Sequence, residues 1–255
     1  MLANPPKESQ PVADAIFPGS GSGEEQLPEQ IPEYLANRLA EAARHAVLCR
    51  LMPVLRHDVA GAMQPPRMLL MVLQKNLQAA VPDLEAIAKN VASISTLTKQ
   101  ASVSCMSAFS WVAPKEDVSV SLRSGVDEAI GLLAMELSVN GLTLDSTIDH
   151  DAAVAPQAFL RSVLMGALLA FCDHHKDGGS LQVGFKPANA YSDAPGQIQV
   201  QLQRSAGAAA NLPELQNILW KSRLIQWADV QAMAHSNGVP MTRGDGWLCL
   251  GLPRS

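Results

Sequence analysis

Aromatic side chains are scarce in this sequence: five Phe, four Trp and two Tyr among 255 residues, 4% of the chain. A core short of large rings must be filled by Leu, Val, Ala and Met, through many small contacts. A long hydrophobic run is missing as well. The longest, from Phe159 to Cys172, is interrupted by Arg161 and Ser162, and it falls short of the roughly 20 residues that cross a bilayer. Pro5, Pro6, Lys7 and Glu8 stand where a secretion signal would carry its apolar core. The expectation is a cytoplasmic protein with no membrane partner. There is no Lys/Arg-rich run, and the formal net charge is −5, which gives no footing for nucleic acid. The four cysteines, Cys49, Cys105, Cys172 and Cys249, are far apart. They make neither a CxxC pair nor a zinc spacing, so buried reduced thiols are expected. Gly-x-Ser-x-Gly, P-loop and dinucleotide-binding patterns are all absent.

What is there divides into three parts. Residues 1–31 are rich in Pro, Gly, Ser and Glu, with the run Gly19-Ser20-Gly21-Ser22-Gly23. Such a segment buries too little apolar surface to offset its ordering entropy, and it reads as a disordered tail. Residues 32–112 turn helical. Leu48, Leu51, Leu55, Val59, Met63, Leu70, Leu73 and Leu77 recur at helical spacings and form one apolar stripe. Val81-Pro82-Asp83 breaks the helix, with Asp83 placed to cap the next one. A second stripe follows in Leu84, Ile87, Val91, Ile94, Leu97, Ala101 and Met106. Two helices joined by a short turn make an antiparallel hairpin. One hairpin leaves an apolar seam uncovered, and two hairpins close it as a four-helix bundle, so a homodimer is expected.

Residues 113–255 alternate. Trp111 to Lys115 reads as a linker, Val126 to Leu137 as a helix and Leu142 to Ile148 as a strand. Pro156 to Phe171 is a strongly apolar helix, with proline suited to its first turn. Leu181 to Phe185 and Ile198 to Leu202 alternate like strands, separated from that helix by the turn Asp177-Gly178-Gly179. Leu215 to Ser236 reads as a helix stopped by Asn237-Gly238, and Met241 to Leu252 as a hairpin turning at Gly244-Asp245-Gly246. This order suggests an α/β sandwich with helices on one face of a mixed sheet.

One pair of residues carries chemistry. Arg56-His57-Asp58 lies within the first long helix. His57 is two residues from both Leu55 and Val59, and at about 100° per residue it points away from the seam. An imidazole is a competent nucleophile when one nitrogen is held as donor and the other is bare, and Asp58 can hold it so. Gly61 leaves room one turn on for a partner's active site. Gln64 and Arg67 are within reach along the same helix, and Met106 and Phe109 near the end of the second helix add apolar surface. Pro65 and Pro66 strain the helix between them. Asp173-His174-His175 with Asp177 is a poor metal site, because adjacent histidines point in different directions. Trp220, Trp227 and Met233 at helical spacing read as core.

Leu55-Arg56-His57-Asp58-Val59 followed by a helical hairpin resembles the H-box of the histidine-kinase dimerisation and phosphotransfer domain. In that family an acidic residue follows the phosphoacceptor histidine and assists transfer, which implies those roles for His57 and Asp58. A proline commonly lies five positions after the histidine; here Ala62 does. The second half is similar in layout to the family's ATP-binding domain, from the helix up to Phe171, through Gly178-Gly179, to the closing hairpin at Gly244 to Pro253. Its nucleotide chemistry is missing. The family's helix offers asparagines, and here Leu164 to Ala170 offers no polar ligand. The family's adenine-reading aspartate has no counterpart in Gln203-Arg204-Ser205-Ala206-Gly207-Ala208, and Arg204 cannot accept a hydrogen bond.

The resemblance therefore implies a dimeric four-helix bundle followed by a degenerate histidine-kinase-type α/β sandwich, with neither cofactor nor metal. It implies a histidine phosphotransferase of a two-component phosphorelay, with His57 and Asp58 as catalytic residues. Gly61, Gln64 and Arg67 are the expected contacts to response-regulator receiver domains. The alternatives are a pseudokinase-like adaptor with an idle histidine and, less favoured by the missing ligands, an active histidine kinase.

Overall fold

The computed structural model of the chain describes residues 33–113, 118–150, 152–175, 178–188, 195–204 and 223–253. The expected tail, Asp177, the segment from Ser205 to Ala208, Trp220 and the first part of the helix expected from Leu215 lie outside them.

Helix α1 (Glu33–Leu77) runs unbroken for 45 residues through Pro53, Pro65 and Pro66. Each proline lacks the N–H that an α-helix would aim at the carbonyl four residues back, so Cys49, Gly61 and Ala62 lose that partner. Helix α2 (Leu84–Val112) starts at Asp83, whose carboxylate accepts the Ala86 N–H at 3.0 Å, as its sequence position implied. The α1 positions withdrawn from solvent opposite α2 are Leu55, Val59, Ala62, Pro66, Leu69 and Leu73, and α2 answers with Ile87, Asn90, Ile94, Leu97 and Ala101. Both sets step by three and four, the signature of a helix–helix seam. The expected stripe is corrected here: Met63, Leu70, Leu77, Leu84, Val91 and Met106 lie outside this seam, exposed.

The first half of α1 has a different task. It extends past the end of α2, and Ala36, Ala40, Ala43, Val47 and Leu51 are buried against helices of the second half. That half begins with β1 (Ser119–Ser121) and α3 (Leu122–Val139). Then come β2 (Leu142–Ser146) and β3 (Val154–Pro156). Helix α4 covers 157–174 as one turn, Gln157–Phe159, a π-helical stretch, Leu160–Leu164, and the α-helix Met165–His174. The chain finishes with β4 (Gly179–Lys186), β5 (Gln197–Gln203), α5 (Trp227–Ser236), β6 (Met241–Gly244) and β7 (Trp247–Gly251).

The main sheet has the order β2-β4-β5-β7-β6. β2 and β4 are parallel, with Leu142 opposite Gly179, and the other pairs are antiparallel. It is a mixed sheet, as the alternating pattern suggested. Leu144, Leu181, Val183, Ile198, Val200, Leu248 and Leu250 are buried on one side, under the helices. Strands β1 and β3 pair separately over three residues, too short to leave a periodic signal in the sequence.

Three layers result: sheet, helices α3 to α5, and the first half of α1 across them. Gly166 is where α4 passes closest. A Cβ there would lie 2.5 Å from Met233 Cε and 3.5 Å from Val47 Cγ2, so a larger residue would have to displace the flexible tip of Met233. Val47, Leu51, Leu55 and Trp111 belong to the same buried cluster as Phe159, Leu168 and Val230. The base of the hairpin is thus continuous with the core of the α/β unit. Trp111, expected in a linker, is the buried penultimate residue of α2.

Candidate functional site

His57 lies where α1 has left the α/β unit and runs alongside α2. Its side chain is 79% exposed and its Nδ1 is 3.5 Å from Asp58 Oδ1, the outer limit of a hydrogen bond. The expectation that His57 points away from the seam holds: Leu55 and Val59 are withdrawn and His57 is open. With Nδ1 turned towards Asp58, Nε2 is the nitrogen presented to solvent. Gly61, Gln64 and Arg67 are exposed on the next turns, and nothing stands within 4 Å of where a Gly61 Cβ would be. At roughly 100° per residue, Gly61 and Gln64 share the direction of His57 to within about 40°, while Arg67 is turned about 80° away. Met106 and Phe109 are exposed on α2.

Below His57, two buried arginines fix the hairpin to the α/β unit. Sequence reading picked out neither. Arg50, seven residues before His57, donates to Glu136 of α3 and to Asp173 at the end of α4, the latter at 2.8 Å. All three side chains are almost closed to solvent. Asp173 also accepts the Ile225 N–H at 2.7 Å, so its oxygens are committed to holding the fold rather than a metal. Burial pushes the Glu136 carboxyl up, against the pull of Arg50. Burial also pushes the neighbouring Cys172 thiol up, and the Arg50 guanidinium stays charged between its two carboxylates.

The second arginine, Arg161 of α4, grips Glu128 of α3 through Nε at 3.1 Å and Nη2 at 2.6 Å. Its Nη1 donates to the Ser110 carbonyl at 3.0 Å, on the last turn of α2. Its guanidinium lies 4.6 Å from the centre of the Trp111 ring, and the Trp111 indole N–H donates to Glu128 at 3.1 Å. This caps α2 with a cation where the helix dipole is negative. The sequence did hold one signal: Arg50 stands on the apolar face of α1, and Arg161 interrupts the longest apolar run. A charge in such a place must be paired once buried.

The stretch that resembles a nucleotide-binding helix has no polar group to offer. Met165 to Cys172 are all buried, beneath α1 and α5. Arg204 is paired with Asp245 at 2.8 Å. His174 and His175 each place Nδ1 near the carbonyl four residues back, and burial holds the His175 ring below its ordinary value. Trp227 is half-buried and packs edge-on against Phe171 with ring centres 5.0 Å apart, at the margin of the core, and Met233 is fully buried within it. The thiols depart from expectation in one respect. Cys172 is buried, Cys105 and Cys249 are half-buried, and Cys49 is exposed. Among the described residues no three His, Cys, Asp or Glu side chains converge as a metal site would require, and no helix is long and apolar enough to cross a membrane.

No family model matches the chain, and no curated protein matches it. Solved structures that it resembles are histidine kinases and a bacterial phosphotransferase. The histidine kinase AdeS of Acinetobacter baumannii aligns over 74% of this chain and 97% of its own, at 12% identity and a TM-score of 0.39. A histidine kinase from Burkholderia phymatum aligns over 88% of this chain and 100% of its own, at 13% identity and a TM-score of 0.40. Histidine kinase ThkA, in complex with response regulator protein TrrA, covers 89% of this chain and 68% of its own at 12% identity and a TM-score of 0.37. At such scores the likeness carries no residue role, and a functional reading has to stand on the side chains of this chain.

Proposed function

We propose that the protein is a histidine phosphotransferase of a two-component phosphorelay, with His57 taking a phosphoryl group from one receiver domain and giving it to another. The observation that carries this reading is the setting of His57. It is an exposed imidazole on a long helix whose foot is held by buried ion pairs, with its Nδ1 beside a carboxylate. A nucleophile so placed is accessible and yet fixed.

In the proposed step, His57 Nε2 attacks the phosphorus of a receiver's aspartyl phosphate. The N–P bond forms as the bond from phosphorus to the carboxylate oxygen breaks, and the aspartate leaves as its anion. Asp58 faces the Nδ1 proton and stabilises the positive ring. Delivery to a second receiver is the reverse.

The α/β unit serves in this reading as the foundation of the hairpin and not as a kinase domain. The burial of α4 under α1, and the absence of polar side chains from Met165 to Cys172, favour this over ATP-dependent phosphorylation. The exposed Met63, Leu70, Leu77, Leu84 and Val91 favour a homodimer. At heptad spacing on the two helices they line one side of the hairpin, outside its own seam.

The test is incubation with phosphorylated receiver domains. An acid-labile, base-stable label is expected on the wild type and none on His57→Ala, with Asp58→Asn slower. No label from a broad panel of receivers, with receivers still bound, would leave an adaptor whose histidine is idle.

A further inference from the structure

We propose that Met68 and Met71 form an oxidation-sensitive patch on the face that carries His57, so that their conversion to sulfoxides shuts off receiver docking. This rests on the phosphorelay reading of His57 and adds a modification site to it. The side of α1 that His57 occupies carries Pro53, Gly61, Gln64, Met68, Met71 and Lys75, all exposed; the one charge among these, Lys75, lies beyond Met71, roughly 27 Å from His57 along the helix. Met68 and Met71 lie within about 40° of His57 around the helix and roughly 16 and 21 Å along it. That is within the width of an ordinary protein contact. They are 59% and 65% exposed, whereas Met165 and Met233 are 1% and 0%. Met52 and Met63 are also exposed, but they lie about 120° or more away from His57 around α1, and Met106 is on α2.

Between His57 and Met71 this face carries no charge, so docking there draws on apolar surface, to which two flexible thioethers contribute. A peroxide changes that surface. The thioether sulfur takes one oxygen, the S–O bond forms as the O–O bond breaks, and water leaves; sulfur is oxidised by two electrons and the peroxide reduced. The product is a polar sulfoxide that apolar contacts exclude, and a sulfoxide reductase with a dithiol returns it to the thioether as the oxygen departs in water. The fold is unaffected, because neither methionine belongs to the buried cluster.

The full chain would be treated with hydrogen peroxide, its sulfoxides located by peptide mass spectrometry, and transfer from a phosphorylated receiver measured before and after. Oxidation at Met68 and Met71 is expected ahead of Met165 and Met233, with transfer slowed roughly tenfold and restored by sulfoxide reductase. Met68→Leu/Met71→Leu, whatever its starting rate, should keep that rate after the same treatment, although Met52, Met63 and Met106 are still oxidised. Equal slowing in that variant overturns the proposal, as does unchanged transfer with both sulfoxides complete. Absence of label before any oxidation would instead remove the phosphorelay reading, and this inference with it.

Discussion

Arg50 on α1 and Asp173 at the end of α4 meet at 2.8 Å with 3% and 4% of their side chains open to solvent, so an ion pair inside the core ties the hairpin to the α/β unit. Glu136 completes the cluster from α3. A buried pair of this kind adds little over a well-packed apolar substitute, but breaking it strands the remaining charge.

Arg50→Met leaves two buried carboxylates without their cation. Stability is expected to fall by about 3–5 kcal/mol, read as a lower urea midpoint. A midpoint equal to that of the wild type would show that the cluster has no such weight.

Glu136 should leave a mark on the pH dependence of stability. Burial raises its carboxyl above the ordinary value of 4.5, so the folded chain keeps the proton longer than the unfolded chain does. Its contribution is therefore most favourable at low pH and is lost as the pH rises from about 4.5 through the raised folded value. In Glu136→Gln this loss is absent. The slope of unfolding free energy against pH, from about 4.5 to neutrality, should be more positive in the variant than in the wild type. Parallel curves would count against a raised Glu136.

The two apolar faces of the hairpin should respond differently to charge. Leu70 and Leu77 are exposed in the single chain, while Leu73 is half-buried in the seam. Leu70→Glu/Leu77→Glu should give a folded monomer by light scattering and circular dichroism. Leu73→Glu should unfold the hairpin, because a buried unpaired charge is costly. A wild type that is monomeric at micromolar concentration would remove the dimer from the proposal.

Calorimetry with Mg-ATP is expected to give no heat of binding at up to about millimolar ligand, where a site worth roughly −4 kcal/mol would register. The reason is the covered, wholly apolar stretch from Met165 to Cys172. A clear isotherm would bring back the kinase reading.

Receiver docking should depend more on Gln64 than on Arg67, since Gln64 shares the direction of His57 and Arg67 is turned about 80° from it. Gln64→Lys is expected to slow transfer roughly tenfold and Arg67→Glu only a few-fold, as residues near an interface centre weigh more than rim residues. His57→Ala should fold normally, within about 0.5 kcal/mol of the wild type, as an exposed position allows. Unchanged rates in both docking variants would put the contact elsewhere.

Much of the architecture was legible because it is written in local periods. The 3.6-residue repeat gave both hairpin helices, Asp83 gave the cap, and alternation at Leu181 to Phe185 and Ile198 to Leu202 gave the central strands. The exposure of His57 followed from its position between Leu55 and Val59 alone. The stripe on α1 was harder to resolve. A single apolar list merged Leu55, Leu73, Met63 and Leu70, although the first two face α2 and the last two face outwards. A seam and its flank differ by only about 60–80° around the helix, less than composition can separate.

Helix period, caps and turns act over a few residues, and they were enough to fix the longer elements, their order and the place of a solvent-facing histidine beside an acid, but not the three-residue strands β1 and β3. Packing between segments far apart in the chain is what carries α1 past α2 to lie across α4 and α5, and makes Trp111 core rather than linker. The same packing brings Arg50 to Glu136 and Asp173, and Arg161 to Glu128 and Ser110. Those partners are 86, 123, 33 and 51 residues apart, and a charge entering the core takes whichever opposite charge the fold delivers to it, a distance that no local pattern encodes.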